Sequence, residues 1–414
     1  MVNDLNDFGR LQVGTFALNI GSPIDNALIT VTRTGGEQVV LEEMISDSSG
    51  RSAVIELEAP PIEFSLSPDE PKPYSEYDVK VSVEGFRETL IEGVQILPNT
   101  TAVQDIMLSP MLGPDMPPED IEIDPHTLWG VFPPKVPEDE IKPLPPAQKF
   151  VVLPDPVIPE FIVVHDGLPS DVNAPNYWIP FQDYIKNVAC CEIYATWPDS
   201  TIRANVLAIL SFTLNRVYTE WYRSKGYNFT ITSTTSLDHA FSYGRNIYDR
   251  ISMIVDEIFT TFITRPGARQ PLLTQYCDGR RSTCPGWMTQ WGSMDLGSQG
   301  FDALTILRSF YGHDIFLMQA NKVAGVPISF PGSNLQLGST GQAVSTIQEQ
   351  LNEISNVYTA IQKLRVDGIF GVATRIAVET FQSIFNLPPS GIVDFATWYR
   401  ISNVYIAVSG LAGL

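Results

Sequence analysis

From residue 10 to about residue 109, apolar and polar positions alternate with period two. The alternation is visible in Leu11-Gln-Val-Gly-Thr-Phe16, Ala27-Leu-Ile-Thr-Val-Thr32, Tyr77-Asp-Val-Lys-Val-Ser-Val83 and Val94-Gln-Ile-Leu97. Such runs turn one side of a strand toward a core and the other toward water. Thr34-Gly-Gly36, Asp47-Ser-Ser-Gly50 and Glu84-Gly-Phe86 separate them, and Gly and Asp supply the backbone freedom and local hydrogen bonds that chain reversals need. Several short strands of this kind predict a small β-sandwich over residues 1–109.

After residue 160 the period lengthens. Ile202, Val206, Ile209, Thr213, Val217 and Trp221 recur at three- and four-residue spacing, which predicts a helix over about 200–224. Pro198-Asp199-Ser200 is its start signal and Gly226 its stop. Ile251, Ile254, Val255, Ile258 and Phe262 predict a second helix over about 247–264. Short β-like segments surround both, beginning at Glu160-Phe-Ile-Val-Val-His165, so residues 160–334 read as an α+β domain. The final region, 335–414, reads as three helices. Val344, Ile347 and Leu351 mark the first, and Ala377, Val378, Phe381 and Phe385 the second. The turn Val366-Asp-Gly-Ile-Phe-Gly371 lies between them, and Ser390-Gly-Ile-Val-Asp394 leads into the third.

Residues 110–159 hold 14 of the 32 prolines, as in Met116-Pro-Pro-Glu-Asp120, Phe132-Pro-Pro-Lys135 and Leu144-Pro-Pro-Ala-Gln-Lys149. Proline at this density opposes helices and central strands. An extended, protease-accessible acidic linker crossed by few contacts is expected. The net charge of −21 is concentrated at this end: residues 1–150 carry 26 acids and 9 bases, whereas 151–334 carry 16 and 13. A surface of that sign disfavours nucleic acid and anionic membranes as partners. No apolar run approaches the roughly 20 residues of a membrane helix, and Met1–Gly9 has neither a basic start nor an apolar stretch, so no secretory signal is expected.

Glu192 is the leading candidate for chemistry. It sits in Val188-Ala-Cys-Cys-Glu-Ile-Tyr-Ala-Thr-Trp-Pro198, among apolar neighbours that would raise a carboxyl pKa and suit it to general acid catalysis. This segment resembles the V-x-x-E-x-x-x-x-W-P segment of the SpoIID-like lytic transglycosylases. Gly286-Trp-Met-Thr-Gln-Trp-Gly-Ser293 resembles the G-M-S-Q-W-G-A signature of the same family, followed by Gly300-Phe-Asp-Ala-Leu-Thr-Ile-Leu-Arg-Ser-Phe-Tyr311. The resemblance implies that Glu192 is the catalytic acid and base. Tyr243, Gln290, Trp291 and Gly292 are read as the groove residues that hold the glycan, with a core position for Trp291 as the equal alternative. Residues 335–400 resemble the peptidoglycan-binding domain type 1, through Leu337-Gly-Ser-Thr-Gly-Gln-Ala-Val344, the Asp367-Gly368 turn with Phe370, and Ser390-Gly-Ile-Val-Asp394. Asp367, Gly368 and Phe370 are its expected wall contacts. The sandwich resembles transthyretin-like modules.

Other constellations are weaker. His126, His165, His239 and His313 are the four histidines, and no group of them has metal-ligand spacing, so no metal or other cofactor is expected. Cys190 and Cys191 have no identifiable histidine partner and are not read as nucleophiles. Cys277 and Cys284 are close enough in sequence for a disulfide, which the spacing leaves open.

The order of modules as a whole resembles the clostridial spore cortex-lytic enzymes. The resemblance implies a zymogen without a signal peptide, located in the spore and acting on cortex peptidoglycan. Subtilisin-like germination proteases would activate it near Gln148, Lys149, Phe150, Val151 and Val152. The acidic N-terminal part would inhibit by lying against Arg245, Arg280 and Arg281. A non-catalytic wall-binding spore protein and a hydrolytic muramidase are the alternatives.

Overall fold

The alternating region becomes seven strands, joined by an eighth from the Pro-rich stretch, in a computed structural model that describes residues 7–18, 21–36, 39–113, 116–143, 155–320, 322–324 and 330–409. In one sheet β1 (Asp7–Ala17) lies between antiparallel β4 (Ile55–Ala59) and parallel β7 (Thr101–Leu108). The other is ordered β3 (Glu42–Ile45), β2 (Leu28–Arg33), β5 (Ser75–Ser82), β6 (Thr89–Ile96) and β8 (Glu119–Glu122), with β8 parallel to β6. Leu11, Val13, Ile29, Val31, Val79 and Val81 are fully buried, the inward set that the period-two pattern specifies. The Asp47–Gly50 turn forms as its chemistry demands. Asp47 Oδ1 accepts from the N–H groups of Ser49 and Arg51 (2.8 and 3.0 Å). Gly50 adopts φ +72°, and a Cβ there would lie 2.5 Å from the Thr15 carbonyl oxygen.

The C-terminal helices cluster in the same compact unit as the sandwich. They are α6 (Gln342–Ile354), α7 (Val372–Ile384) and α8 (Phe395–Ser409). Tyr358 O–H donates to the Gly21 carbonyl (2.9 Å). Two glutamines fasten equivalent turns. Gln348 Oε1 accepts from the Asp367 and Gly368 N–H groups (3.1 and 2.9 Å), and its amide donates to Asp367 Oδ1 and the Ile369 carbonyl (both 3.0 Å). Gln382 likewise accepts from Gly391 N–H and donates to the Ile392 carbonyl (both 2.9 Å). Gly368 and Gly391 have φ of +69° and +67°, a conformation that favours glycine.

The second unit comprises residues 60–73 and 124–324. Its strands β9 (Phe161–His165), β10 (Asn176–Pro180) and β11 (Ile231–Thr232) form a sheet with β9 central. Helices α1 (Phe181–Glu192), α2 (Asp199–Tyr218), α3 (Asp249–Ile258), α4 (Gln290–Ser298) and α5 (Ala303–Tyr311) follow. Every residue of α2 from Ala204 to Arg216 is buried, and helices α1, α3, α4 and α5 all pack against it. A short strand, β12 (Ile247–Tyr248), leads into α3, and two-stranded ribbons pair β13 (Thr261–Thr264) with β16 (Phe316–Gln319) and β14 (Tyr276–Cys277) with β15 (Met288–Thr289).

Three expectations differ from the structure. Helix α2 stops at Tyr218 rather than 224, because Glu220 turns to φ +49°. Trp221 and Tyr222 then fold back over the Arg216 guanidinium (5.1 and 5.8 Å). Helix α3 stops at Ile258, and the β-branched Thr261-Phe-Ile-Thr264 pairs as a strand instead. The described residues of the Pro-rich stretch up to Lys142 are not loosely attached: Glu119–Glu122 forms β8 of the sandwich, and Asp124–Lys142 packs into the second unit.

Candidate active site

Glu192 closes α1 and is 5% exposed. Cys190, Cys191, Ile193, Tyr194 and Trp197 around it in sequence are all buried. The carboxylate nevertheless does not face an apolar wall, as its sequence neighbours suggested. Its Oε1 accepts from Ala240 N–H (3.0 Å), and its Oε2 from Gln290 Nε2 (3.0 Å) and Thr127 Oγ1 (3.1 Å). The neighbours on α1 point into the core, while donors distant in sequence surround the acid.

Gln290 opens α4, and Thr289 caps that helix by accepting from Gly292 N–H (3.2 Å). Besides Oε2, the Gln290 amide donates to the Glu192 carbonyl (2.7 Å). The two motifs therefore meet at one carboxylate. Other expected binding residues have different roles. Trp291 is buried between Trp197 and Tyr194, with ring centroids 5.1 and 6.2 Å away, so it builds the core beneath the site. Gly292 is a packing position, where a Cβ would meet Thr289 Oγ1 at 2.2 Å. Tyr243 stacks on Tyr177 (4.4 Å) and does not line the cavity beside Glu192. In the C-terminal domain Phe370 is fully buried and cannot touch a wall polymer, Gly368 shapes the turn, and Asp367 is exposed.

The cavity has a volume of about 110 Å³. Tyr276, Cys277, Asp278, Arg281 and Ser282 form one side, and Thr127, Gly130–Pro133 and Lys135 of the Pro-rich stretch form another. Asp278 is its second carboxylate, but it is committed to the loop, accepting from Arg281 and Ser282 N–H (2.8 and 2.9 Å). A disulfide joins Cys277 to Cys284 and closes this loop, with 5.8 Å between Cα atoms. Burial pushes the free thiols of Cys190 and Cys191 up to about 12 and about 11, which leaves them protonated and unreactive near neutrality. His165 is held by Asn176 Oδ1 and the Leu168 carbonyl (2.8 and 3.0 Å) and stacks on Phe229.

The Pro-rich strap is tightly anchored. Thr127 N–H donates to the Cys191 carbonyl (3.0 Å), and His126 is buried against Tyr194 (4.4 Å). Arg281 donates to the Trp129 and Gly130 carbonyls, and Arg245 to that of Asp124. Lys135 reaches the Asp238 carbonyl across the rings of Phe212 and Tyr276. The acids of the strap pair elsewhere: Glu138 binds Arg216 through both oxygens (2.6 and 3.1 Å), and Glu140 binds Arg265 (2.9 Å). Arg281 and Arg245 thus reach backbone carbonyls of the strap. Arg216, fully buried near the end of the largely apolar core helix α2, had no motif to reveal it.

Residues 340–401 match the family described as "Putative peptidoglycan binding domain". The C-terminal helices are accordingly a peptidoglycan-binding domain, joined to a sheet-rich N-terminal region in a multidomain chain. No curated protein sequence matches the chain. Among solved structures, the SleB N-terminal domain is similar at 30% identity, covering 18% of this chain and 93% of that one, with a TM-score of 0.16. The minor pilin GBS52 of Streptococcus agalactiae is similar at 16% identity, covering 27% of this chain and 48% of that one, with a TM-score of 0.18. The 5-hydroxyisourate hydrolase of Klebsiella pneumoniae is similar at 13% identity, covering 25% of this chain and 91% of that one, with a TM-score of 0.17. Among the described residues no helix is long and apolar enough to cross a membrane.

Proposed function

We propose that the chain is the zymogen of a lytic transglycosylase that cuts the glycan strands of spore cortex peptidoglycan, with Glu192 as its acid and base. In this reading the central domain is SpoIID-like, the sandwich is a transthyretin-like pro-region, and the module order is similar to the clostridial germination enzyme SleC. The observation that carries it is the buried Glu192 carboxylate, held by Ala240 and by Gln290 from the second motif. Protonated Glu192 gives its proton to the glycosidic oxygen as the bond to the muramic acid C1 breaks. The carboxylate then takes the proton of the C6 hydroxyl as that oxygen bonds to C1, closing a 1,6-anhydro ring. The nucleophile is intramolecular, and its effective molarity replaces the second carboxylate of a hydrolase. Commitment of Asp278 to its loop favours this route over a hydrolytic muramidase.

The strap supports the zymogen reading, because Thr127 and Lys135 occupy the approach to Glu192. Activation by a subtilisin-like protease would cut at Gln148–Val152, which lies outside the described residues, and would free the acid only once the strap leaves. Spore location and cortex as substrate belong to the same proposal. Mass spectrometry of cortex digested by the activated protein tests it: anhydromuramic ends support the reading, new reducing ends support a muramidase, and undigested cortex supports a binding protein.

A further inference from the structure

We infer that the C-terminal domain grips the peptide stems of peptidoglycan, and not its sugars, through an aliphatic corner around the Asp367–Gly368 turn. The inference rests on the match to the peptidoglycan-binding family and is independent of the reading of Glu192. Among its described residues the domain exposes five large apolar side chains, Leu337, Val366, Ile369, Val372 and Ile376, each open over 42–57% of its surface. Scattered singly, they would need no explanation. All five gather at one corner. Thr340 pairs antiparallel with Ile369, Gly338 N–H donates to the Phe370 carbonyl (3.0 Å), and Phe370 N–H donates to that of Ser339 (2.8 Å). This pairing sets Leu337 beside the start of α7 at Val372, and Ile376 follows one turn later on the same helix face. Val366 and Ile369 flank the turn itself.

Packing within the domain does not account for these residues. Helix α7 meets the core through Ala377, Val378, Phe381 and Ile384, and a helix with one buried stripe normally carries polar residues on its other face. The corner is also held in place beforehand, because Gln348 fastens the Asp367 and Gly368 N–H groups, so little ordering entropy is lost on binding. Its chemistry selects between the two parts of the polymer. Sugar rings stack on exposed aromatic faces, and none of the domain's described aromatic rings is exposed. A peptide stem instead offers alanyl methyl groups, free carboxylates and, where uncrosslinked, the ammonium of its diamino acid. The aliphatic side chains suit the methyls. Exposed Arg365, whose guanidinium makes no hydrogen bond or ion pair among the described residues, precedes Val366. Exposed Asp367 follows it, using Oδ1 to accept from Gln348 Nε2 and Ile369 N–H (both 3.0 Å). A cation and an anion on either side of an aliphatic contact complement both charges of the stem.

Retention of the full chain on insoluble peptidoglycan, read by pelleting, tests the corner. The double variant Ile369→Ser, Val372→Ser should lose retention by about tenfold or more, the scale of two aliphatic contacts returned to water. Its unfolding midpoint should stay at the wild-type value, since neither side chain belongs to the core. Wild-type retention in this variant overturns the inference. Competition on the unaltered protein supplies a second arm that needs no variant to fold. The soluble stem tripeptide L-alanyl-D-glutamyl-diaminopimelate should release the chain from the wall. Release by peptide-free glycan strands, with none by the tripeptide, assigns the corner to sugar and overturns the inference as well. The ends found in digested cortex bear on Glu192 alone, so the two readings fail separately.

Discussion

Gln290 donates to Glu192 twice, to its carbonyl at 2.7 Å and to its carboxylate at 3.0 Å, across 98 residues of chain. The double bond fixes both the end of α1 and the acid it carries. Gln290→Leu should therefore reduce cortex lysis beyond the change in substrate affinity and lower stability by about 1–3 kcal/mol, because buried acceptors lose their donor. Kinetics on soluble glycan fragments together with thermal unfolding check it. Wild-type turnover in this variant would show that the contact is only structural.

Glu192→Gln should keep the fold and wall binding but lose cortex lysis by more than about 10²-fold, since the amide has no proton to supply and general acid–base groups contribute on that scale or above. Release of muropeptides from purified cortex is the measurement, and a comparable rate would remove Glu192 from the mechanism.

Strap docking should resist salt. The charge pattern alone suggested screened surface attraction, but Glu138 meets an Arg216 side chain that is fully buried, where ions screen little. Burial by itself would raise the Glu138 carboxyl, and the Arg216 and Lys142 charges more than offset this, so it lies below its ordinary range. The group binds fewer protons folded than unfolded. Its contribution is thus complete above the ordinary carboxylate range and is lost as pH falls through the depressed value. Protection of residues 136–142, corrected for intrinsic exchange, should be unchanged from low to high salt, lower in acid, and lower at neutral pH in Glu138→Gln. Protection that fades with salt at neutral pH would restore the surface-charge account.

Thiol titration without reductant should find no fast-reacting cysteine in the native chain, two after denaturation, and four once reduced. Cys190 and Cys191 are buried, and Cys277 and Cys284 are paired. Replacing the pair by serine should cost about 2 kcal/mol, modest because the closed loop is short, and should loosen Arg281 and Ser282 at the cavity. Four thiols in the unreduced denatured chain would contradict the bond.

Removing residues 335–414 should weaken retention on insoluble peptidoglycan and leave cleavage of soluble fragments in place, because tethering acts through local concentration. Phe370→Ala should weaken retention indirectly, unfolding the domain at a cost of about 3–5 kcal/mol, whereas Asp367→Ala leaves the core intact. Pelleting assays beside circular dichroism distinguish the two.

Local pattern determined a good deal. Period-two runs specified which faces of β1, β2 and β5 are buried, the apolar spacing located α2, α6 and α7, and the motifs singled out Glu192 and Gln290. These signals are local because a strand or helix exposes its buried face through the spacing of its own residues. The tertiary structure decided what touches those faces. Trp291 and Phe370 stand inside motifs yet serve the core, and Thr261–Thr264 leaves a helical pattern because β16 offers it a hydrogen-bonded partner. The Arg216–Glu138 pair joins residues 78 positions apart, and the strap at Thr127 and Lys135 lies against an acid 57 or more away. Proline content announced only that residues 124–142 avoid regular structure. Whether that extended chain stays in solvent or lies over Glu192 depends on donors and charges supplied by distant elements, which no local spacing encodes.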